Sequence, residues 1–297
     1  MRHAVGIVTV LIVAGAAAPG WAQDGGEHIA FDRPEAWAMQ YFAAVSTFTG
    51  VGPPTRREPW SVDLGVDLGW IPSLSEAERT VGFDGTKVED LNKLPVFGRP
   101  RVTVGLPGGF SAELGWVPPI EINGVTSNLF AAAVERPVFE GERWTLGLRG
   151  FGQVGDVTGD FTCPADVASQ PPGSPGNPYG CNEPSSDTST LNNVGLALTG
   201  GAKIGGGGVV HLSGGATYND LAFQVDAVTY GYPDHTRLLA DGWTGWVAAG
   251  LGWPLGARTW VAGEAFYSPL WVVRPPDTSR QNDGLFNLRV LLRFHLD

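Results

Sequence analysis

The sequence predicts an all-β fold: a closed antiparallel up-and-down barrel of about ten strands, within a range of about eight to twelve, with a short N-terminal helix. Segments in which large apolar residues alternate with small or polar ones recur along the chain, and successive side chains of a strand point to opposite faces. The 297 residues include 43 glycines and 23 prolines, a composition rich in turn formers. Short and long connections between the segments alternate strictly, which is typical of a barrel with tight turns at one end and long loops at the other.

The composition also excludes some functions. The formal net charge is -11, whereas proteins that bind nucleic acid need clustered lysine and arginine for the phosphates. The glycine-rich segment Gly205–Gly208 lies where a turn is expected and lacks the context of a phosphate-binding loop. We therefore expect no nucleic-acid partner and no cofactor.

Residues 1–22 are predicted to form a signal peptide for export through the Sec pathway. Arg2 and His3 precede an apolar run from Ala4 to Ala18, and small residues then lead to a cleavage site after Ala22. An N-terminal membrane anchor is the alternative, but the run is short for a helical span, and no later stretch of about 18 apolar residues exists.

The segment 23–59 is predicted to carry a short helix. Asp32 is a suitable N-cap, Pro34 suits the first turn, and Ala36 to Ser46 then reads as helical. The aromatic residues of this helix do not form a single stripe. Two placements stay open at this point: the periplasmic mouth of the barrel, or its interior as a plug.

The clearest predicted strand runs from Trp60 to Trp70. Its even-numbered residues are large and apolar, whereas its odd-numbered residues are serine, aspartate or glycine. The segment has about the 9 to 11 residues that a tilted strand needs to cross a bilayer, and a tryptophan ends its apolar face on both sides, where interfacial aromatic girdles lie. The barrel is predicted over 60–297, with further strands near 101–106, 110–116, 128–136, 144–154, 194–198, 210–218, 243–253, 260–267 and 286–296.

This arrangement resembles the single-chain outer-membrane β-barrels of Gram-negative bacteria over nearly all of the mature chain. The resemblance implies a location in the cell outer membrane, contact with outer-membrane lipid and lipopolysaccharide, and insertion by the barrel-assembly machinery. Those barrels usually end on an aromatic residue, whereas here Phe294 lies three residues before Asp297.

For the function, we expect a structural protein or a narrow, porin-like passive pore for the transport of small solutes. One alternative is an outer-membrane barrel enzyme, either a protease or a lipid hydrolase. The other is a secreted β-sandwich binding protein, which also has alternating strands. Against the sandwich, the long insertions all fall at one end and small residues recur on the polar face.

The polar face would line the lumen if the apolar face meets lipid. The predicted lumen-lining residues are Asp63, Asp67, Arg101, Glu113, Arg149, Gln153, His211, Glu264, Arg289, Arg293 and His295. At the seam between first and last strands, one antiparallel register would place Asp63 opposite Arg293 and Asp67 opposite Arg289. Such a ladder either selects solutes or neutralises buried charge in a core network, and a narrow barrel favours the second interpretation.

Cys163 and Cys181 are predicted to form a disulfide that closes an external loop, because the chain is exported and both lie in its longest insertion. The acidic residues of that loop could hold Ca²⁺ or bridge to lipopolysaccharide, but a solvated loop is the commoner explanation and no metal site is predicted. For catalysis, His211 and Ser213 share a strand face, and His235 lies near Asp234 and Asp241. Neither group has an evident nucleophile context, so no catalytic residue is assigned.

Overall fold

The computed structural model describes residues 25–296, so the predicted signal peptide lies outside the described residues. Within these residues, ten antiparallel strands close into one barrel, because each pairs with the next along the chain and the last pairs with the first. The predicted fold class is confirmed. The strands are β1 Val62–Trp70, β2 Val96–Gly105, β3 Ser111–Val117, β4 Val125–Glu140, β5 Trp144–Gly159, β6 Asp187–Lys203, β7 Val209–Gln224, β8 Arg237–Pro254, β9 Thr259–Ser268 and β10 Leu285–Leu296.

Four tight connections form what we term the short-turn end: 106–110, 141–143, 204–208 and 255–258. Two of them contain 3-10 turns, Pro107–Gly109 and Gly205–Gly207. In these turns Gly108 and Gly206 have φ values of 80° and 70°, a left-handed conformation that glycine adopts without a Cβ clash. The chain can therefore reverse within a few residues.

The opposite, long-loop end consists of segments 71–95, 118–124, 160–186, 225–236 and 269–284. These loops contain three one-turn helices, Glu76–Arg79, Gly82–Gly85 and Ala165–Ala168. They also contain the short strands Thr80–Val81, Lys87–Val88, Glu121–Ile122, Ala227–Thr229, Tyr232–Asp234, Trp271–Val272 and Gln281–Asn282.

The two faces of the barrel wall differ as the alternation predicts. On β1, Leu68 is 52% exposed on the outside, whereas the adjacent Asp67 is 1% exposed on the inside. The same alternation runs along β10. A β-sandwich would bury its apolar face between two sheets, so the sandwich alternative is wrong.

The predicted register at the seam is also wrong. Asp63 lies opposite His295, and Asp67 lies opposite Leu291, so the pairing is shifted by two residues from the expected ladder. A shift of two keeps every side chain on its own face, and the hydrophobic pattern therefore cannot distinguish the two registers. The charged side chains find other partners, described below.

The N-terminal segment fills the barrel interior. It enters at the long-loop end, where the two-residue strand Glu27–His28 pairs in parallel with Leu238 and Leu239 of β8. The helix α1, Pro34–Val45, follows and is buried on nearly all sides, which explains its lack of a single apolar stripe. The chain leaves at the short-turn end, where the backbone N–H of Trp60 donates to the carbonyl of Gly105. No helix within residues 25–296 is long and apolar enough to cross a membrane.

Candidate functional site: the occupied lumen

Phe48 is the centre of the lumen. Its side chain is fully buried, and the guanidinium groups of Arg99, Arg101 and Arg149 lie 5.0, 4.5 and 4.9 Å from its ring centroid. The three arginines project inward from β2 and β5. A cation within about 6 Å of an aromatic face is attracted by the ring quadrupole, more strongly when water is excluded.

The same arginines bind the backbone that carries Phe48. Arg99 donates to the carbonyl oxygen of Ser46 at 2.6 Å, and Arg101 donates to that of Thr49 at 2.7 Å. Arg149 donates to the carbonyl of Phe48 itself at 3.3 Å. This stretch is neither helix nor strand, so the barrel wall supplies the hydrogen bonds that its buried carbonyl groups require.

Arg289 binds the C-terminal end of α1. Its guanidinium donates to the carbonyl oxygens of Ala44, Val45 and Thr47 at 3.0, 3.2 and 2.8 Å. The last four carbonyls of a helix lack intrahelical partners and carry the negative end of the helix dipole. A cation at this position satisfies both requirements.

A belt of alternating charge crosses five adjacent strands of the wall. Asp67 on β1 pairs with Arg101 on β2, which lies 3.2 Å from Glu113 on β3. Glu113 lies 2.7 Å from Arg149 on β5, and Arg149 lies 3.7 Å from Glu135 on β4. Each charge of the belt therefore has a neighbour of opposite sign within the barrel wall, as buried charges require.

A second buried cluster lies across the lumen. His211 on β7 is 3.5 Å from the Glu264 carboxylate on β9, and both side chains are fully buried. Glu264 also accepts a hydrogen bond from the Thr49 hydroxyl and lies 3.8 Å from Arg289. Charged groups of four elements therefore converge on residues 44–49.

No protein-family model matches the chain, and no curated protein sequence matches it. Its solved structural neighbours are outer-membrane β-barrels. A loop L8 deletion mutant of Vibrio cholerae OmpT is 11% identical over 68% of this chain and 54% of that chain, with a TM-score of 0.26, so this chain spans about half its length. The translocator domain of autotransporter NalP from Neisseria meningitidis is 10% identical over 82% and 91%, with a TM-score of 0.40. The outer-membrane protease OmpT from Escherichia coli is 9% identical over 80% and 94%, with a TM-score of 0.34. At these identities the likeness concerns the fold alone.

The eleven residues predicted to line the lumen all project from the inner face. Eight of them are buried in the network just described or beside it: Asp67, Arg101, Glu113, Arg149, Gln153, His211, Glu264 and Arg289. Asp63, Arg293 and His295 instead line the mouth at the short-turn end.

Sequence reasoning missed Arg99, Glu135, Phe48 and Thr49. Arg99 and Arg101 are two residues apart, so their side chains lie on the same face of β2. A predicted strand that began before Pro100 would have included Arg99. Glu135 likewise has the inward parity of its strand. Phe48 and Thr49 could not be identified from alternation, because their segment has no periodic pattern of apolar residues and their contacts are remote in sequence.

The residues considered for catalysis are not brought together. Ser213 exchanges a hydrogen bond of 3.0 Å with Thr199, whereas His211 faces Glu264. His235 lies 3.2 Å from Asp226, and both are largely exposed to solvent. This geometry provides no pairing of nucleophile and base.

The disulfide between Cys163 and Cys181 is present. Both cysteines are buried against Val225 and Ala227 of the next loop. Asp160 of the acidic loop binds Lys93 at 2.7 Å, so part of its charge is already paired. No group of three or more histidine, cysteine, aspartate or glutamate side chains suited to a metal occurs in residues 25–296.

The short-turn mouth contains a cavity of about 470 Å³. Its lining includes the basic residues Arg56, Arg57, Lys203, Arg293 and His295. Asp63 lies among them, paired with Arg57 and 2.7 Å from His295, while Arg293 lies 3.8 Å away. These ion pairs hold the N-terminal segment in place where it leaves the lumen.

At the long-loop end, Glu89 and Lys87 form a buried ion pair of 2.8 Å. Lys87 also donates to the carbonyl of Thr162 at 2.5 Å. Burial raises the pKa of Glu89 to about 7, although the charge of Lys87 acts in the opposite direction. Glu89 therefore titrates near neutral pH.

Proposed function

We propose that this protein resides in the outer membrane as a barrel closed by its own N-terminal segment, with a structural role and without an open pore. The observation that carries the proposal is the burial of Phe48 among three arginines of the barrel wall. A side chain held in this way occupies the position that a solute would have to cross.

The outward surface supports the membrane location. Its apolar side chains are bordered by aromatic residues near both ends, such as Trp243 and Trp253 on β8, which are 68% and 37% exposed. With a rise of about 3.3 Å per residue and a tilt of about 40°, these two lie roughly 25 Å apart along the barrel axis. That is about the height of the apolar band of outer-membrane barrels. Phe294 also faces outward, a position suited to recognition by the barrel-assembly machinery.

The charge distribution supports the closed state. Three of the arginines that hold the segment, Arg101, Arg149 and Arg289, are themselves paired with wall carboxylates. A lumen that selected charged solutes would need unpaired charges of one sign and a water-filled path. We therefore prefer the structural role to the passive pore.

The test is the current through planar lipid bilayers. We expect the intact mature protein to give no current above background, and a variant lacking residues 27–50 to conduct. Because acidic and basic side chains of the wall are balanced, the variant should show little preference for anion or cation under a salt gradient. A matched control lacks residues 164–180, which shortens an external loop and leaves the lumen occupied.

Both deletion variants must first show the heat-dependent electrophoretic shift of a folded barrel. A current through the intact protein equal to that of the 27–50 deletion would contradict the closed state and favour the passive-pore function instead. Recovery of the protein in the soluble fraction, without detergent, would contradict the membrane location.

A further inference from the structure

A cavity of about 270 Å³ opens at the long-loop end, between the first half of α1 and the loops above it. Its floor is apolar and is formed mainly by Met39, Phe42, Val81, Phe161, Phe223 and Leu238. Phe161 neighbours both other phenyl rings, with centroid distances of 5.7 Å to Phe42 and 6.3 Å to Phe223. The floor therefore contains a cluster of three aromatic rings.

The rim of the cavity is acidic. Five carboxyl groups line it, those of Glu27, Glu35, Asp84, Glu89 and Asp234. Arg33 is the basic residue of the lining, and it already pairs with Glu35 at 3.0 Å, with Asp84 at 3.3 Å and with Glu27 at 3.4 Å. One guanidinium cannot neutralise three carboxylates, so the rim keeps an excess of negative charge.

We propose that this cavity binds a small amphipathic organic cation, with an apolar or aromatic body on the phenylalanine floor and an ammonium group at the carboxylate rim. Ligand sites are typically apolar concavities with a few convergent polar groups, and aromatic rings attract cations as well as apolar groups. The same rim repels an anion of equal shape. The volume corresponds to about nine water molecules, which suits a ligand of roughly ten non-hydrogen atoms.

The rim can be neutralised with little change of structure. Asp84 has φ of 57°, in the left-handed region where asparagine is also well tolerated. Glu35 accepts a hydrogen bond of 2.6 Å from the backbone N–H of Asp84, which a glutamine oxygen can also accept. Glu35→Gln with Asp84→Asn therefore removes two negative charges and keeps this contact.

The experiment is calorimetric titration of the mature protein in a non-ionic detergent. The probes are phenylbutylammonium, the neutral phenylbutanol and the anionic phenylbutyrate, which share one apolar body. Two variants test the two parts of the cavity: the double variant Glu35→Gln/Asp84→Asn for the rim, and Ala38→Leu to fill space beside the floor. Glu121→Gln, an exposed glutamate in another loop at the same end, is the matched charge control.

We expect phenylbutylammonium to bind at least tenfold more tightly than phenylbutyrate. The rim variant should weaken the cation about five- to tenfold and leave phenylbutanol unchanged, since each partly exposed charge contributes about two- to fivefold. Ala38→Leu should weaken both the cation and phenylbutanol, and Glu121→Gln should change neither. Equal binding of the anion, or an unchanged cation affinity in the rim variant or in Ala38→Leu, overturns the proposal. Residues of the N-terminal segment line the cavity, so the site rests on the closed barrel of the proposed function. Absence of cation binding by an intact protein that gives no current overturns the ligand site alone, whereas a current through the intact protein overturns the closed barrel.

Discussion

Arg289 of β10 and Thr47 of the N-terminal segment are joined by a hydrogen bond of 2.8 Å between the guanidinium and the backbone carbonyl, across 242 positions of the chain. The same guanidinium lies 3.8 Å from Glu264. The last strand of the barrel thus holds the segment that precedes the first strand. Wall and segment share one buried polar network, and removal of a single member leaves its neighbours with fewer partners.

Substitution of Arg289 should therefore destabilise the whole barrel. We expect Arg289→Met to lower the free energy of unfolding by about 3 to 5 kcal/mol, because Glu264 becomes a buried charge with a weaker partner set. The double variant Arg289→Met/Glu264→Gln should recover part of this loss. The measurement is denaturant unfolding in detergent, followed by tryptophan fluorescence.

The control for this prediction is Arg280→Met. Arg280 pairs with Asp32 at 2.8 Å but is 58% exposed, and such pairs contribute about 1 kcal/mol or less. Equal losses for Arg289→Met and Arg280→Met would show that the buried network does not hold the segment.

The sequence was sufficient for the fold because its signal is local and repeated. The alternation from Trp60 to Trp70 assigns each residue to the outer side or the lumen side of the wall, and the burial of Asp67 beside the exposed Leu68 agrees with it. The strict alternation of short and long connections then leaves an up-and-down barrel as the simplest topology.

The contents of the lumen could not be predicted in the same way. The backbone carbonyl partners of Arg289 lie more than two hundred positions away, at the end of α1 and just beyond it. The seam register failed for a related reason: a two-residue shift preserves the faces of β1 and β10, so only side-chain contacts inside the closed barrel distinguish the registers. Strand β1 pairs with β10 on one side and with β2 on the other, and the Asp67 carboxylate of β1 pairs with Arg101 of β2.

Two tryptophans of β8 test the lipid-facing surface. Trp243 points outward and is 68% exposed, whereas Trp246 points into the barrel and is 4% exposed. In bilayers of brominated lipid, which quench indole fluorescence on contact, we expect Trp243→Phe to reduce the quenchable emission. Trp246→Phe should leave the quenchable emission unchanged and reduce the protected part. An equal effect of the two variants would contradict the assignment of the faces.

The disulfide should stabilise its loop without affecting the barrel. Cys163 and Cys181 enclose the segment 164–180, and closing a loop of this size contributes about 3 kcal/mol by restricting the open ensemble. We expect the double variant Cys163→Ser/Cys181→Ser to be cleaved by protease within this loop at least tenfold faster than the wild type. We expect the loop to open before the strands separate. The disulfide then restricts both states of the strand transition, and this transition should stay within about 1 kcal/mol of the wild type. A large loss in barrel stability, or unchanged cleavage, would contradict this division.

Glu89, at the long-loop end, should make the free energy of unfolding depend on pH. Its pKa is about 7 because of burial, whereas an unfolded glutamate titrates near 4.5. The folded protein therefore holds this proton more tightly, so the stabilising contribution is fully present below about pH 4.5 and is lost as the pH rises through about 7. Lys87 favours the ionised form, while Asp187 and Glu35 disfavour it.

Glu89→Gln should remove this dependence, because the amide stays neutral at every pH. Between about pH 5 and pH 8, we expect the wild type to lose up to about 3 kcal/mol more unfolding free energy than Glu89→Gln, at 1.36 kcal/mol per pKa unit. The measurement is again denaturant unfolding in detergent at a series of pH values. Glu121→Gln is the control, because this exposed glutamate should leave the profile parallel to that of the wild type. If the free energy of unfolding of Glu89→Gln varies with pH in parallel with that of the wild type, the prediction is wrong. Lys87 would then keep Glu89 ionised over the whole range, and burial would not raise the pKa of Glu89.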